Sequence, residues 1–256
     1  MRRRSILAAS SLLWAADGPS NLRIFLLCGQ SNMAGRGDVE ESDRRSLPRV
    51  WSMNKSSEWA LATDPLHFDK PAIAGVGLGR SFARVLTAVD PEAKLGLVPC
   101  AMGGSSLHEW VPGAPLYEAA IKRGRIALAN GRLSGILWHQ GEAECADQQR
   151  AESYLERFRM MIAAMRKELG DVPVVVGQLG EFLRADKFPY AVTVNRQLAR
   201  VALDVNRAAF ASSAGLGHRG DEIHFDSAGF REFGRRYAHA YLGLDATWRV
   251  GQGDKG

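Results

Sequence analysis

Four short segments of the chain hold the residue types that acyl transfer requires. They are Gly29-Gln30-Ser31-Asn32-Met33-Ala34-Gly35, Gly103-Gly104-Ser105-Ser106-Leu107, His139-Gln140-Gly141-Glu142-Ala143-Glu144 and Asp221-Glu222-Ile223-His224-Phe225. A serine hydroxyl is a weak nucleophile and needs a neighbouring base. A base that titrates near neutrality favours histidine, and a carboxylate must hold that imidazole in one tautomer. Backbone N–H groups must then face the developing oxyanion. Ser31, between Gly29 and Gly35, can expose its hydroxyl while its own N–H lies at a helix start. A serine there also reads as a plain helix cap. Asp221 precedes His224 by three residues, so one short turn can carry both orienting acid and base. Gly103 and Gly104 permit close backbone approach. Gln140 offers an amide donor, and Glu142 is either a second acid for His224 or an acceptor for loop N–H groups. No Gly-Lys-Ser/Thr follows the paired glycines, and Ser31 does not lie in G-x-S-x-G, so neither a P-loop nor the α/β-hydrolase elbow is present.

These segments need a scaffold that brings them together. Near-continuous apolar runs predict strands over 23–29, 94–101, 133–141, 173–180 and 208–215, with a weaker one over 49–53. Such runs suit strands covered on both faces. Helical spacing of apolar residues predicts helices over 78–89, 116–129, 147–169, 190–205 and 228–242. The alternation implies an α/β fold, a parallel sheet with helices on both faces. All four polar segments then fall at the carboxyl edge of that sheet, where ligands bind in such folds.

Quoted in order, GQSNMAG, AMGGSSL, HQGEAE and DEIHF resemble the blocks of the SGNH hydrolases. The branch they resemble contains carbohydrate esterase family 6 and the sialate O-acetylesterase-like domains. The likeness extends over 22–243 and includes Asp64-Pro65-Leu66-His67. It implies a three-layer α/β/α sandwich with a flavodoxin-like sheet. By match to the motifs, Ser31 would be the nucleophile, His224 the base, and Asp221 the orienting acid, with Glu142 as an extra or alternative acid. The N–H groups of Ser31 and Gly104 and the amide of Gln140 would form the oxyanion hole. The implied substrate is an O-acetylated carbohydrate, acetylated xylan first and an O-acetylated sialic acid second, with no metal or organic cofactor. Glu144 departs from the usual Asp. Trp59, His67 and Trp110 are candidates for a sugar-stacking wall, although aromatics also bury well.

Composition narrows the alternatives. The 256 residues and 46% hydrophobic content suit one domain over 21–246, with 1–20 and 247–256 outside it. Arg2, Arg3 and Arg4 followed by an apolar run read as a secretory leader, or as a disordered start with a cytoplasmic protein behind it. The net charge of +5 is dispersed, which speaks for a solvated surface and against a nucleic-acid interface. No other segment approaches the ~20 apolar residues of a membrane span. Cys28, Cys100 and Cys145 share no metal-type spacing; Cys28 and Cys100 each end a strand-like run and read as buried free thiols, with adjacency of the two as the alternative. A carbohydrate-binding domain with an inactive site and a phosphate-binding flavodoxin-like domain remain as readings of other classes. The oligomeric state is left open by the sequence.

Overall fold

The computed structural model describes residues 19–244. The possible leader and the tail after 246 lie outside, or almost wholly outside, the described residues. A seven-stranded sheet runs in the order β3-β2-β4-β1-β5-β6-β7. Its strands are β1 (Leu22–Gly29), β2 (Val50–Met53), β3 (Trp59–Leu61), β4 (Leu95–Pro99), β5 (Gly131–His139), β6 (Val174–Gly177) and β7 (Ala208–Ala211). All pairings are parallel except β2 with β3. The core order β4-β1-β5-β6-β7 is flavodoxin-like, and the β2–β3 hairpin extends it at one edge. The helices are α1 (Ser31–Ala34), α2 (Glu41–Arg44), α3 (Gly79–Val89), α4 (Pro115–Ala127), α5 (Gln148–Glu152), α6 (Tyr154–Leu169), α7 (Ala191–Asp204) and α8 (Ser227–Leu244).

Two apolar layers follow from the strand period of two. Ile24, Leu26 and Cys28 of β1 face one cluster with residues of α4, α6 and α7. Phe25 and Leu27 face the other, with α3 and α8. There Phe25 packs edge-on against Phe82 and Tyr241, with ring centres 4.9 and 5.1 Å apart. The sheet is therefore the middle of three layers. Cys28 and Cys100, at the ends of neighbouring strands, lie thiol to thiol, and that contact together with burial pushes the Cys28 thiol up. Among the described residues no helix is long and apolar enough to cross a membrane.

One helix and the edge of the sheet differ from the sequence expectation, as does the single-turn α2. The helix expected over 147–169 is broken at Ser153, whose hydroxyl bonds back to Gln149 O at 2.7 Å. That local bond competes with the helical ladder. The three-residue β3 was not expected, because so short an edge strand has no readable period.

The segment after β3 ties the hairpin edge to the helical layer. Asp64 is buried, its N–H bonded to Asp43 O at 3.0 Å and its carboxylate 3.6 Å from Arg80 Nη1. Burial raises its carboxyl to about 7, with Arg80 pulling down and Asp43 pushing up. Between the ordinary carboxylate value and about 7, the folded chain keeps a proton that the unfolded chain has lost. Raising the pH through that window therefore removes stability. Asp64→Asn should gain on wild type as pH rises, its melting temperature improving by roughly 2 °C or more between about pH 4 and pH 8. A pH-independent offset between the two proteins contradicts this.

Candidate active site

The chain runs from β1 to one edge of the sheet and from β5 to the other, so the ends of these neighbouring strands form the switch in strand order. Gly29 sits at φ +130°, and a Cβ there would lie 2.0 Å from His139 O. The chain then turns into α1, with Ser31 at its first position. Across the cleft, the loop before α8 carries His224. Its Nε2 is 2.9 Å from Ser31 Oγ, and its Nδ1 is 2.7 Å from Asp221 Oδ2. A carboxylate can only accept, so Nδ1 carries the proton and Nε2 offers its lone pair to the serine.

The turn that holds this pair is built around Glu222 at φ +59°. It lets the N–H groups of Ile223 and His224 converge on Asp221 Oδ1, at 2.9 and 2.8 Å. Burial raises the Asp221 carboxyl, but the His224 amide and imidazole and the Ile223 amide outweigh it and hold it below the ordinary range.

Ser31 and His224 open on a cavity of about 330 Å³, which Gly104, Gln30, Lys70 and Ile73 also line. Gly104 has φ +86°, a conformation that favours glycine. Its neighbours' amides are occupied: Gly103 N–H donates to Asp69 Oδ2 at 2.9 Å, and Ser105 N–H to Met102 O at 3.2 Å. The Gly104 and Ser31 amides have no such acceptor among the described residues. Asp69 is itself held by the buried Arg36, at 2.6 Å. Burial raises the Asp69 carboxyl, and Arg36 with the Gly103 amide brings it below the ordinary range. Arg36 and Asp69 thus set the loop that carries Gly104. Neither was singled out in the sequence, since nothing local marks them as partners.

Several expected contacts are not made. The Gln140 side chain is fully buried, and its Nε2 points to Ser105 O and Glu144 Oε1 at 3.3 and 3.4 Å. Its Oε1 lies 3.1 Å from the Tyr154 hydroxyl, which donates to Gln140 O at 2.7 Å, so the amide faces the core behind the loop and does not enter the cavity. Glu142 lines the cavity, but its Oε1 bonds Asn32 at 2.6 Å and it makes no hydrogen bond to His224. Trp110 is fully buried, donating to Ser105 Oγ and packed edge-on against Trp138. Trp59 covers Gly96 and Leu22 at the opposite end of the strands and donates to Asn130 at 3.0 Å. His67 is buried near Leu27 O, and burial lowers its imidazole to about 4. None of these three lines the cavity beside Ser31. Gln30 does, and it was overlooked although it stands next to the serine. Its Oε1 is buried without a partner. Among the described residues no group of three or more His, Cys, Asp or Glu is placed to hold a metal ion.

The chain is similar in sequence and fold to known proteins. A family model described as carbohydrate esterase, sialic acid-specific acetylesterase, matches residues 21–243. A protein of Arabidopsis thaliana described as a probable carbohydrate esterase is 31% identical over 241 residues, covering 86% of this chain and 90% of its own. The crystal structure of that Arabidopsis protein superposes with a TM-score of 0.79 at 28% identity, covering 88% of this chain and 99% of the other. The structure of NanS gives a TM-score of 0.69 at 21% identity, over 91% and 99% of the two chains. A carbohydrate acetylesterase from Xanthomonas citri gives 0.64 at 22%, over 87% of this chain and 56% of that one. The last two likenesses concern the fold, which is that of the SGNH hydrolases. With its family model matched from residue 21 to residue 243, the chain belongs to the carbohydrate esterase family of sialic acid-specific acetylesterases.

Proposed function

We propose that the chain is a serine esterase that removes O-acetyl groups from carbohydrates, with Ser31 as nucleophile, His224 as base and Asp221 as orienting acid. The observation that carries this reading is the unbroken series from Asp221 Oδ2 through His224 to Ser31 Oγ, at 2.7 and 2.9 Å, on the wall of an open cavity. His224 takes the Ser31 proton as Oγ attacks the acetyl carbonyl. The carbonyl oxygen becomes an oxyanion facing the amides of Ser31 and Gly104. Protonated His224 gives its proton to the sugar oxygen as the C–O bond breaks. Water, deprotonated by the same imidazole, then attacks the acyl-enzyme, and acetate leaves. We assign the side-chain donor of the hole to Gln30, which lines the cavity, in place of Gln140, whose amide points away from it.

One observation favours an acidic sugar over a neutral one such as acetylated xylan. Lys70 is exposed at the cavity and has no ion-pair partner among the described residues. An ammonium there suits the carboxylate of an O-acetylated sialic acid. The same charge on a neutral xylan ester would have no counterpart.

Acetate release from acetylated xylan, an O-acetylated sialic acid and an aryl acetate tests the reading, with wild type and Ser31→Ala in parallel. Release should vanish in Ser31→Ala; undiminished release would exclude Ser31 as nucleophile. Lys70→Ala should lower kcat/KM for the sialic acid ester, relative to the aryl acetate, by about fivefold. Fastest turnover on acetylated xylan would reject the acidic-sugar preference.

The two glutamines separate in the same assay. Gln30→Ala should lower kcat by about a hundredfold, the usual cost of one oxyanion donor. Gln140→Ala should mainly lower thermal stability, because it removes a fully buried side chain and leaves the Ser105 carbonyl without its donor, while the Tyr154 hydroxyl keeps Gln140 O at 2.7 Å. The reverse pattern would return the donor role to Gln140.

A further inference from the structure

Asn32, the residue after Ser31, is fully buried and does not line the cavity. A buried primary amide needs partners for two N–H donors and one carbonyl acceptor. Asn32 directs two of these bonds at the backbone flanking His224. Its Nδ2 donates to Ile223 O at 3.0 Å, and its Oδ1 accepts from Phe225 N–H at 3.3 Å. The side chain thus grips the chain on both sides of the histidine, from the turn that carries Ser31.

The remaining Nδ2 hydrogen goes to Glu142 Oε1 at 2.6 Å. That bond settles which end of the amide is which. A carboxylate accepts and does not donate, so Nδ2 must face Glu142 and Oδ1 is left for the Phe225 amide. Glu142 is buried, and His139 Nε2 lies 3.6 Å from its Oε1. His139 is steadied from behind, its Nδ1 3.2 Å from the Tyr237 hydroxyl, which donates to Trp138 O at 2.8 Å. Burial raises the Glu142 carboxyl, and His139 and Asn32 outweigh it, leaving it below the ordinary range.

We infer that Asn32 is a positioning residue that clamps the His224 loop to the turn carrying Ser31, and that Glu142 acts through it by fixing the amide's orientation. This rests on the esterase reading for its kinetic consequence. The clamp itself is a statement about two hydrogen bonds. Glu142 then serves as an acceptor for Asn32, and a neutral acceptor of the same shape can do that work. A residue acting directly on His224 as an acid would need the charge.

The test combines hydrogen exchange and kinetics on the full chain, with aryl acetate as substrate. In Asn32→Ala, amide exchange in the peptide spanning 221–226 should rise at least tenfold, with the central strands unchanged. In the same variant kcat should fall at least tenfold and KM should move by less than about threefold, since Asn32 does not reach the cavity. Glu142→Ala should show the same pattern, and Glu142→Gln should recover most of the lost kcat and the protection of 221–226. Unchanged exchange over 221–226 in a folded Asn32→Ala protein would overturn the clamp. So would a Glu142→Gln variant as impaired as Glu142→Ala. If Asn32→Ala does not fold, the Glu142 pair decides by the same two readouts. Exchange separates this inference from the esterase reading: an inactive wild type, or an undiminished Ser31→Ala, defeats that reading while the exchange result still judges the clamp.

Discussion

The ends of β1 and β5 approach so closely that no side chain fits between them. Gly29 lies against the backbone of His139, and Gln30 N–H donates to His139 O at 2.9 Å. This contact puts the Ser31 turn beside the segment that follows β5, although more than a hundred residues separate them. Everything at the site is arranged from it. Asn32 and Glu142 meet because their strands end in register, and the loop after β4 joins them through Met102 N–H to Gly29 O at 3.0 Å. Any residue other than glycine at position 29 would push these strands apart at the point where the cleft begins.

Around that junction, two ion pairs hold loops. Arg36 with Asp69 fixes the Gly103 amide, and Arg157 with Glu144 fixes the Leu107 amide, at 2.9 and 2.8 Å to the respective carboxylates. Without these carboxylates the Gly103 and Leu107 amides would lose their acceptors. Removing one partner of such a pair is expensive, because the other is left as an uncompensated buried charge. The order of the site therefore comes from a shell of ion pairs that never touch the reacting atoms. Glu144 belongs to this shell, and its side chain reaches both Arg157 and Leu107.

Much of this was legible in the sequence, and the limits have physical causes. The buried strands and amphipathic helices were readable because both faces of the sheet are covered, so the apolar runs are nearly unbroken. That Ser31, His224, Asp221 and Gly104 would meet at one cleft was readable because each sits in a short motif just past a strand end. The direction of a side chain just past a strand end is set by one or two backbone torsions, and no residue pattern encodes it. That is why the proposed oxyanion donor is Gln30, which lines the cavity, and not Gln140, whose amide points into the core. Trp59, Trp110 and His67 were open to either reading as aromatic-type side chains, and the fold buries or removes each of them from the cleft. Arg36 and Asp69 meet across 33 residues of chain, a distance over which spacing carries no information.

The central claim is that Ser31 becomes acylated. It is tested most directly by rapid acid quench of the protein during turnover of an aryl acetate, followed by peptide mass spectrometry. The account predicts one acetyl group in place of a hydrogen on the peptide containing Ser31, absent when His224 is replaced by alanine. Turnover with no acetylated Ser31 peptide, or with the acetyl group on another residue, would contradict it.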